Sequence, residues 1–198
     1  MNNQEYDVTF GGYYWRGKQN FEAYSKLGAK TNLFYSALEY RSCIERLLFE
    51  HLALLNLSDL PKKFLKLYRA KDLRYAILDI EPEFLRKLEY INIMFEAIGV
   101  SNRVFIPDLD NLNGFYGRLG DYLHALKEPG ETVDRNEWWD GFLKIIEQVD
   151  TYLQGVSGHD FGSFKLNDRG LETFEQWKNG KLSNSELVHK IRTEYRVQ

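Results

Sequence analysis

The sequence predicts an all-α helical bundle with a small β-hairpin at its N-terminus and a helical extension at its C-terminus. Two observations carry that expectation. Apolar residues recur three and four apart over long stretches, and only four prolines interrupt 198 residues. At 23.4 kDa, with 43% apolar and 15% aromatic residues, the chain can bury a core of its own. We therefore take residues 1–198 as one domain, with the bundle over about 20–155 and the extension over about 167–196.

Each element has its own signal. Val8-Thr9-Phe10 and Tyr13-Tyr14-Trp15 flank Gly11-Gly12 in the pattern of a hairpin with a glycine turn. From about Asn20 to Asn56, Leu27, Thr31, Phe34, Leu38, Arg41, Glu45, Leu48, Leu52 and Leu55 share one helical stripe, predicting a single long helix bent near Gly28. Asp59 and Pro61 open a second helix that runs to about Ile80. Pro82 opens a third, with Leu85, Leu88, Phe95 and Ile98 on one face and Gly99 as its stop. A fourth starts at Asp108 and carries Leu109, Leu112, Tyr116, Leu119, Leu123 and Leu126 as far as Pro129-Gly130. Gly114, Gly117 and Gly120 lie inside it, at about 1 kcal/mol each relative to alanine, so a weak or broken helix is expected there.

Asp134 and Glu137 resemble a capping box for a fifth helix through Trp138, Phe142, Ile145, Ile146, Val149 and Leu153, stopped by Gly155. Residues 155–166 read as a loop. A short helix through Leu171, Phe174 and Trp177 should end at Asn179-Gly180, and Ser183 with Glu186 forms a capping box for the last helix.

Composition and motifs exclude several classes of function. The lone Cys43 permits neither an intramolecular disulfide framework nor a cysteine-based zinc site. No basic-then-apolar leader opens the chain and no apolar run approaches a membrane span, so a cytoplasmic protein without membrane association is expected. The phosphate-loop, dinucleotide, serine-hydrolase and zinc-protease fingerprints do not occur. The four histidines, His51, His124, His159 and His189, are scattered. Neither a metal nor a cofactor is therefore expected.

Formal net charge is −3, so contact with nucleic acid would need a local basic patch. One exists: Lys62, Lys63, Lys66, Arg69, Lys71 and Arg74 stand against a single acid, Asp72, and could track a phosphate backbone or simply face solvent. Tyr68 and Tyr75 interleave with them, at a spacing that suits base stacking and core packing equally. Trp138 joins the apolar stripe of its helix, whereas Trp139 projects from another face and could mark a partner surface.

Polar residues on apolar stripes narrow the search for chemistry. Arg41 and Glu45, one turn apart on the stripe of the first helix, should point into the bundle, either as an internal salt bridge or as the wall of a site. Arg46 and His51 lie in the same continuous helix on different faces, so His51 reads as a packed core histidine. Arg118 and His124 differ, because the glycines around Arg118 would allow an irregular helix start from which the arginine turns back to the histidine. Histidine titrates near neutrality and guanidinium matches phosphate, a pairing suited to phosphoryl chemistry.

The stretch from Tyr116 to Leu126, with five residues between Arg118 and His124, together with Ala37-Leu38-Glu39-Tyr40-Arg41-Ser42-Cys43-Ile44-Glu45-Arg46-Leu47-Leu48, resembles the HEPN superfamily of α-helical bundles. The resemblance covers residues 20–155 or so and implies a metal-independent endoribonuclease acting as a homodimer, such as a toxin or phage-defence effector switched by a regulatory protein partner. It would make His124 the proton-transfer group and Arg118 the stabiliser of phosphate charge, with Arg41, Glu45, Asp121 and Tyr122 lining or bracing the site. The alternative reading is a non-catalytic HEPN-like module for dimerisation or for protein or nucleotide binding.

Overall fold

The computed structural model describes residues 6–55, 62–124, 136–157 and 166–195. Among them are eight α-helices and one 3-10 turn, and no β-strand. The N-terminal hairpin is therefore replaced by a helix, α1, over Phe10–Leu27. Thr9 explains the change: its hydroxyl accepts from the Gly12 N–H at 3.1 Å, so the Gly-Gly pair lies in a capped first turn rather than in a hairpin loop. Phe10, Tyr14 and Gly17 then follow at helical spacing on the buried side.

Gly28, at φ 66°, ends α1 in the left-handed conformation, and its N–H bonds the Tyr24 carbonyl at 2.7 Å. The expected bend is thus a complete break, and a separate helix α2 spans Lys30–Leu55. That break resets the helical phase. Leu27 and Leu38 are 76% and 54% exposed, while Leu33, Ala37, Tyr40, Ile44, Leu47, Leu48 and Leu52 form the buried side. Packed against α1 on one flank and α3, α5 and α6 on others, α2 is the central element.

The expected second helix is shorter than the sequence suggests. A 3-10 turn at Phe64–Lys66 precedes α3, Ala70–Ile80, and the proposed start at Asp59 and Pro61 lies outside the described residues. Helix α4, Phe84–Ala97, agrees with expectation, and its Asn92 side chain bonds both backbone groups of Val104, at 2.9 and 2.8 Å, pinning the link to α5. Helix α5, Leu109–His124, is unbroken through Gly114, Gly117 and Gly120. Burial of Leu112, Phe115 and Leu119 against α2 and α6 outweighs the glycine penalty.

Helix α6, Asn136–Ser157, completes the main core with Phe142, Ile146, Val149 and Leu153, running past Gly155. Asp134 and residues 158–165 of the expected loop lie outside the described residues. Helices α7, Asp168–Lys178, and α8, Asn184–Tyr195, pack on α4 through a second cluster of Tyr90, Ala97, Phe174, Leu187 and Ile191. The Ser183 capping box forms as expected, with Ser183 N–H to Glu186 Oε2 at 2.8 Å and Glu186 N–H to Ser183 Oγ at 3.3 Å. Gly180 supplies the positive φ of the turn between the two helices.

Candidate functional site

An unbroken α5 decides the geometry of the Arg118 and His124 pair. Six residues along a regular helix turn side chains about 120° apart and move them about 9 Å along the axis. The irregular start that would have brought them together does not form, so one chain does not assemble the two into a site. Arg118 is exposed; its Nη1 donates to Gln148 Oε1 on α6 at 3.2 Å, and its guanidinium lies 5.2 Å from the Phe115 ring centre. His124 is exposed at the end of α5. Asp121 faces solvent, while Tyr122 turns into an aromatic cluster, stacked on Phe142 at 4.8 Å.

A different set of groups converges. Arg41 Nη2 donates to the Tyr116 hydroxyl at 2.7 Å, and Glu45, one turn on from Arg41, lies within electrostatic reach of both groups. Guanidinium has no acceptor, so Tyr116 accepts from Arg41 and keeps its own proton to donate. Arg41 and Glu45 thus make no direct ion pair among the described residues, and Arg41 is held instead by a tyrosine of α5. Gly120 lies beneath this pair, where even a β-carbon would make only an ordinary van der Waals contact with the Arg41 guanidinium, at 3.9 Å. Burial raises the Glu45 pKa, opposed by the Tyr116 hydroxyl and the Arg41 charge. Burial likewise raises Tyr116, with Arg41 acting in the opposite sense. Tyr116 was legible only as an apolar-stripe position of α5.

Glu45 also reaches the surface. It lines a cleft of about 180 Å³ together with Tyr13 of α1, Ser42, Arg46 and Phe49 of α2, and Tyr68. Arg46 is tethered there by its Nε, which donates to Glu50 at 2.7 Å.

From Tyr68 the cleft opens onto the basic segment. Lys62, Lys63, Lys66, Arg69 and Lys71 are exposed, and the four lysines make no ion pair among the described residues. Arg69 bonds Asp72 at 2.6 Å on the same helix surface. Arg74 is spoken for, since it ties α3 to α5 through Asp110 at 2.6 Å. Tyr68 and Tyr75 are 66% and 55% exposed, which settles the ambiguity of their spacing: neither is a core residue. Lys71 and Arg74 lie 5.9 and 5.6 Å from the Tyr75 ring centre, so a cationic surface surrounds an open aromatic face.

The remaining candidates fall elsewhere. Trp139 is half-buried, edge-on to Phe34 at 5.7 Å with Lys30 over its ring, so it packs more than it projects. His51 is buried against Phe84, His189 is exposed on α8, and His159 lies outside the described residues. Among the described residues no three His, Cys, Asp or Glu side chains group to hold a metal, and no helix is long and apolar enough to cross a membrane. Compared with protein-family models, curated proteins and solved structures, the chain finds no match.

Proposed function

We propose that this helical bundle is a HEPN-like domain that binds single-stranded RNA across the surface of residues 62–75. One observation carries the reading: Tyr68 and Tyr75 stand open to solvent among four lysines without ion partners among the described residues. Exposed rings stack on bases of any sequence, and lysines along the same face follow the phosphates. The concentration of positive charge on one segment of a chain of net charge −3 supports RNA contact there. Such a ligand fits work in the cytoplasm.

Binding of a fluorescein-labelled single-stranded RNA 12-mer, followed by anisotropy across a salt series, tests this. Lys63→Gln, Lys66→Gln and Lys71→Gln combined should weaken binding and reduce the log-log salt slope by about 2, since each phosphate that a lysine neutralises adds about 0.7 to that slope. An unchanged affinity and slope would overturn the reading.

A second reading, cleavage of the bound RNA, is favoured by the exposure of both Arg118 and His124 on α5. Their separation on one chain requires a homodimer in which Arg118 of one protomer meets His124 of the other. His124 would then take the proton of a ribose 2′-hydroxyl as it attacks the adjacent phosphate, the P–O5′ bond would break to leave a 2′,3′-cyclic phosphate and a 5′-oxygen protonated by water, and Arg118 would hold the developing charge. In EDTA, Arg118→Ala and His124→Ala should each abolish cleavage, and mixing the two variants should restore part of it through one intact composite site. Inactive mixtures beside an active wild type would exclude the composite site.

A further inference from the structure

The cleft beside Tyr68 holds an acid, Glu45, that, unlike Asp72 of the basic face, makes no ion pair among the described residues. We propose that this cleft is a guanine-binding subsite, with Glu45 reading the Watson–Crick edge of the base and Arg46 its O6 and N7 acceptors. The inference rests on the RNA-binding reading above and names the base that the surface selects.

Three features of the cleft point to this ligand. Its volume, about 180 Å³, suits one flat heterocycle and not a folded segment of chain. Tyr13, Phe49 and Tyr68 supply aromatic wall, the usual partner of an unstacked base. Its polar groups are a carboxylate, an arginine and the Ser42 hydroxyl. A carboxylate accepts only, so it can bind two adjacent donors, and among the bases guanine offers that pair, N1–H beside N2–H. Arginine donates only, which matches guanine O6 and N7 and opposes the N6 donor of adenine.

The tether of each group favours this use. Glu45 is half-buried one turn from Arg41, whose guanidinium is itself fixed on the Tyr116 hydroxyl, so a positive group stands behind the carboxylate. Arg46 is fixed through Nε by Glu50, and its terminal nitrogens make no hydrogen bond among the described residues. Adjacent on α2, the two side chains line one cleft with Leu67 and Tyr68, which directly precede Arg69 in the basic segment. A strand lying on Lys63, Lys66 and Lys71 therefore reaches the cleft with a single base.

The test uses the wild-type protein and four uridine-rich 12-mers that differ at one central position: guanine, adenine, inosine or 2-aminopurine. Guanine should bind at least about five-fold tighter than adenine, the lower end of the discrimination expected for one bidentate contact. Inosine, which lacks the N2 donors, should fall between them, and 2-aminopurine, which lacks N1–H, should match adenine. Glu45→Gln should compress the series toward a single affinity, and the base substitutions keep the proposal testable should that variant fold poorly. Equal affinities for all four RNAs, with the lysine-dependent salt slope intact, would overturn the subsite and leave the RNA surface standing. Absence of binding to any of them would overturn both.

Discussion

Gly17 lies against the ring of Tyr40, so close that a β-carbon would overlap both ring carbons on that edge. Tyr40 cannot yield, because it is fully buried and its hydroxyl donates to Asp150 on α6 at 2.5 Å. One glycine thus sets how nearly α1 approaches α2, and one hydrogen bond links that contact to α6. Overpacking costs about 1–3 kcal/mol, whereas alanine in place of a helical glycine returns at most about 1 kcal/mol. Gly17→Ala should therefore destabilise the protein by about 1–2 kcal/mol in urea unfolding, and an unchanged midpoint would disprove the close approach.

Gly114 and Gly117 should respond in the opposite direction. Both are exposed in the interior of α5, and nothing lies within 4 Å of a β-carbon at either. Alanine at each should add about 0.5–1 kcal/mol through reduced backbone entropy of the unfolded chain. Thermal unfolding of the double variant checks this; a lower midpoint would mean that α5 is not the regular helix described.

His51 gives the fold an acid limit. It is 2% exposed on α2, and burial lowers its pKa to about 4 from the ordinary 6.5. Between those values the unfolded chain binds a proton that the native state refuses, so stability rises with pH across this window. Its contribution is intact above pH 6.5 or so and drains away toward pH 4. Going from pH 7 to 5 should cost about 2 kcal/mol from this residue alone. Urea midpoints of wild type and His51→Gln at the two pH values measure it, since the variant should lose that part of the pH dependence. Parallel losses in both proteins would assign the acid limit to other groups.

How much of this was legible depended on whether a signal was local. The Ser183 and Glu186 box, the Gly180 stop and the Gly99 stop of α4 are decided by neighbours in sequence, and each forms as read, although Ile98 of the expected α4 stripe is exposed. The N-terminal segment failed because Gly-Gly between aromatic residues suits a hairpin and a capped first turn alike; Thr9 capping and burial of Phe10 and Tyr14 against α2 decide for the helix. The α2 stripe came out of phase at Leu27 and Leu38, because it was carried through Gly28 from the preceding helix, while Leu48 and Leu52 are buried as read. At the site, the Arg41 and Glu45 turn was visible, but Tyr116, the partner of Arg41, lies 75 residues beyond it and looks like any stripe residue. Exposure of Tyr68 and Tyr75 depends on what α3 packs against, which spacing alone does not reveal.

The lysine face predicts affinity and the tyrosines predict its kind. Stacking on an aromatic side chain contributes about 1–3 kcal/mol per base and requires bases free of a duplex. The most direct measurement is the affinity of Tyr68→Ala/Tyr75→Ala for a single-stranded RNA 12-mer and for the corresponding duplex, beside the wild type. The account predicts wild-type preference for the single strand and at least a ten-fold loss on that strand in the variant, with little change for the duplex. Equal losses on both RNAs, or none on either, would contradict a stacking surface at residues 62–75.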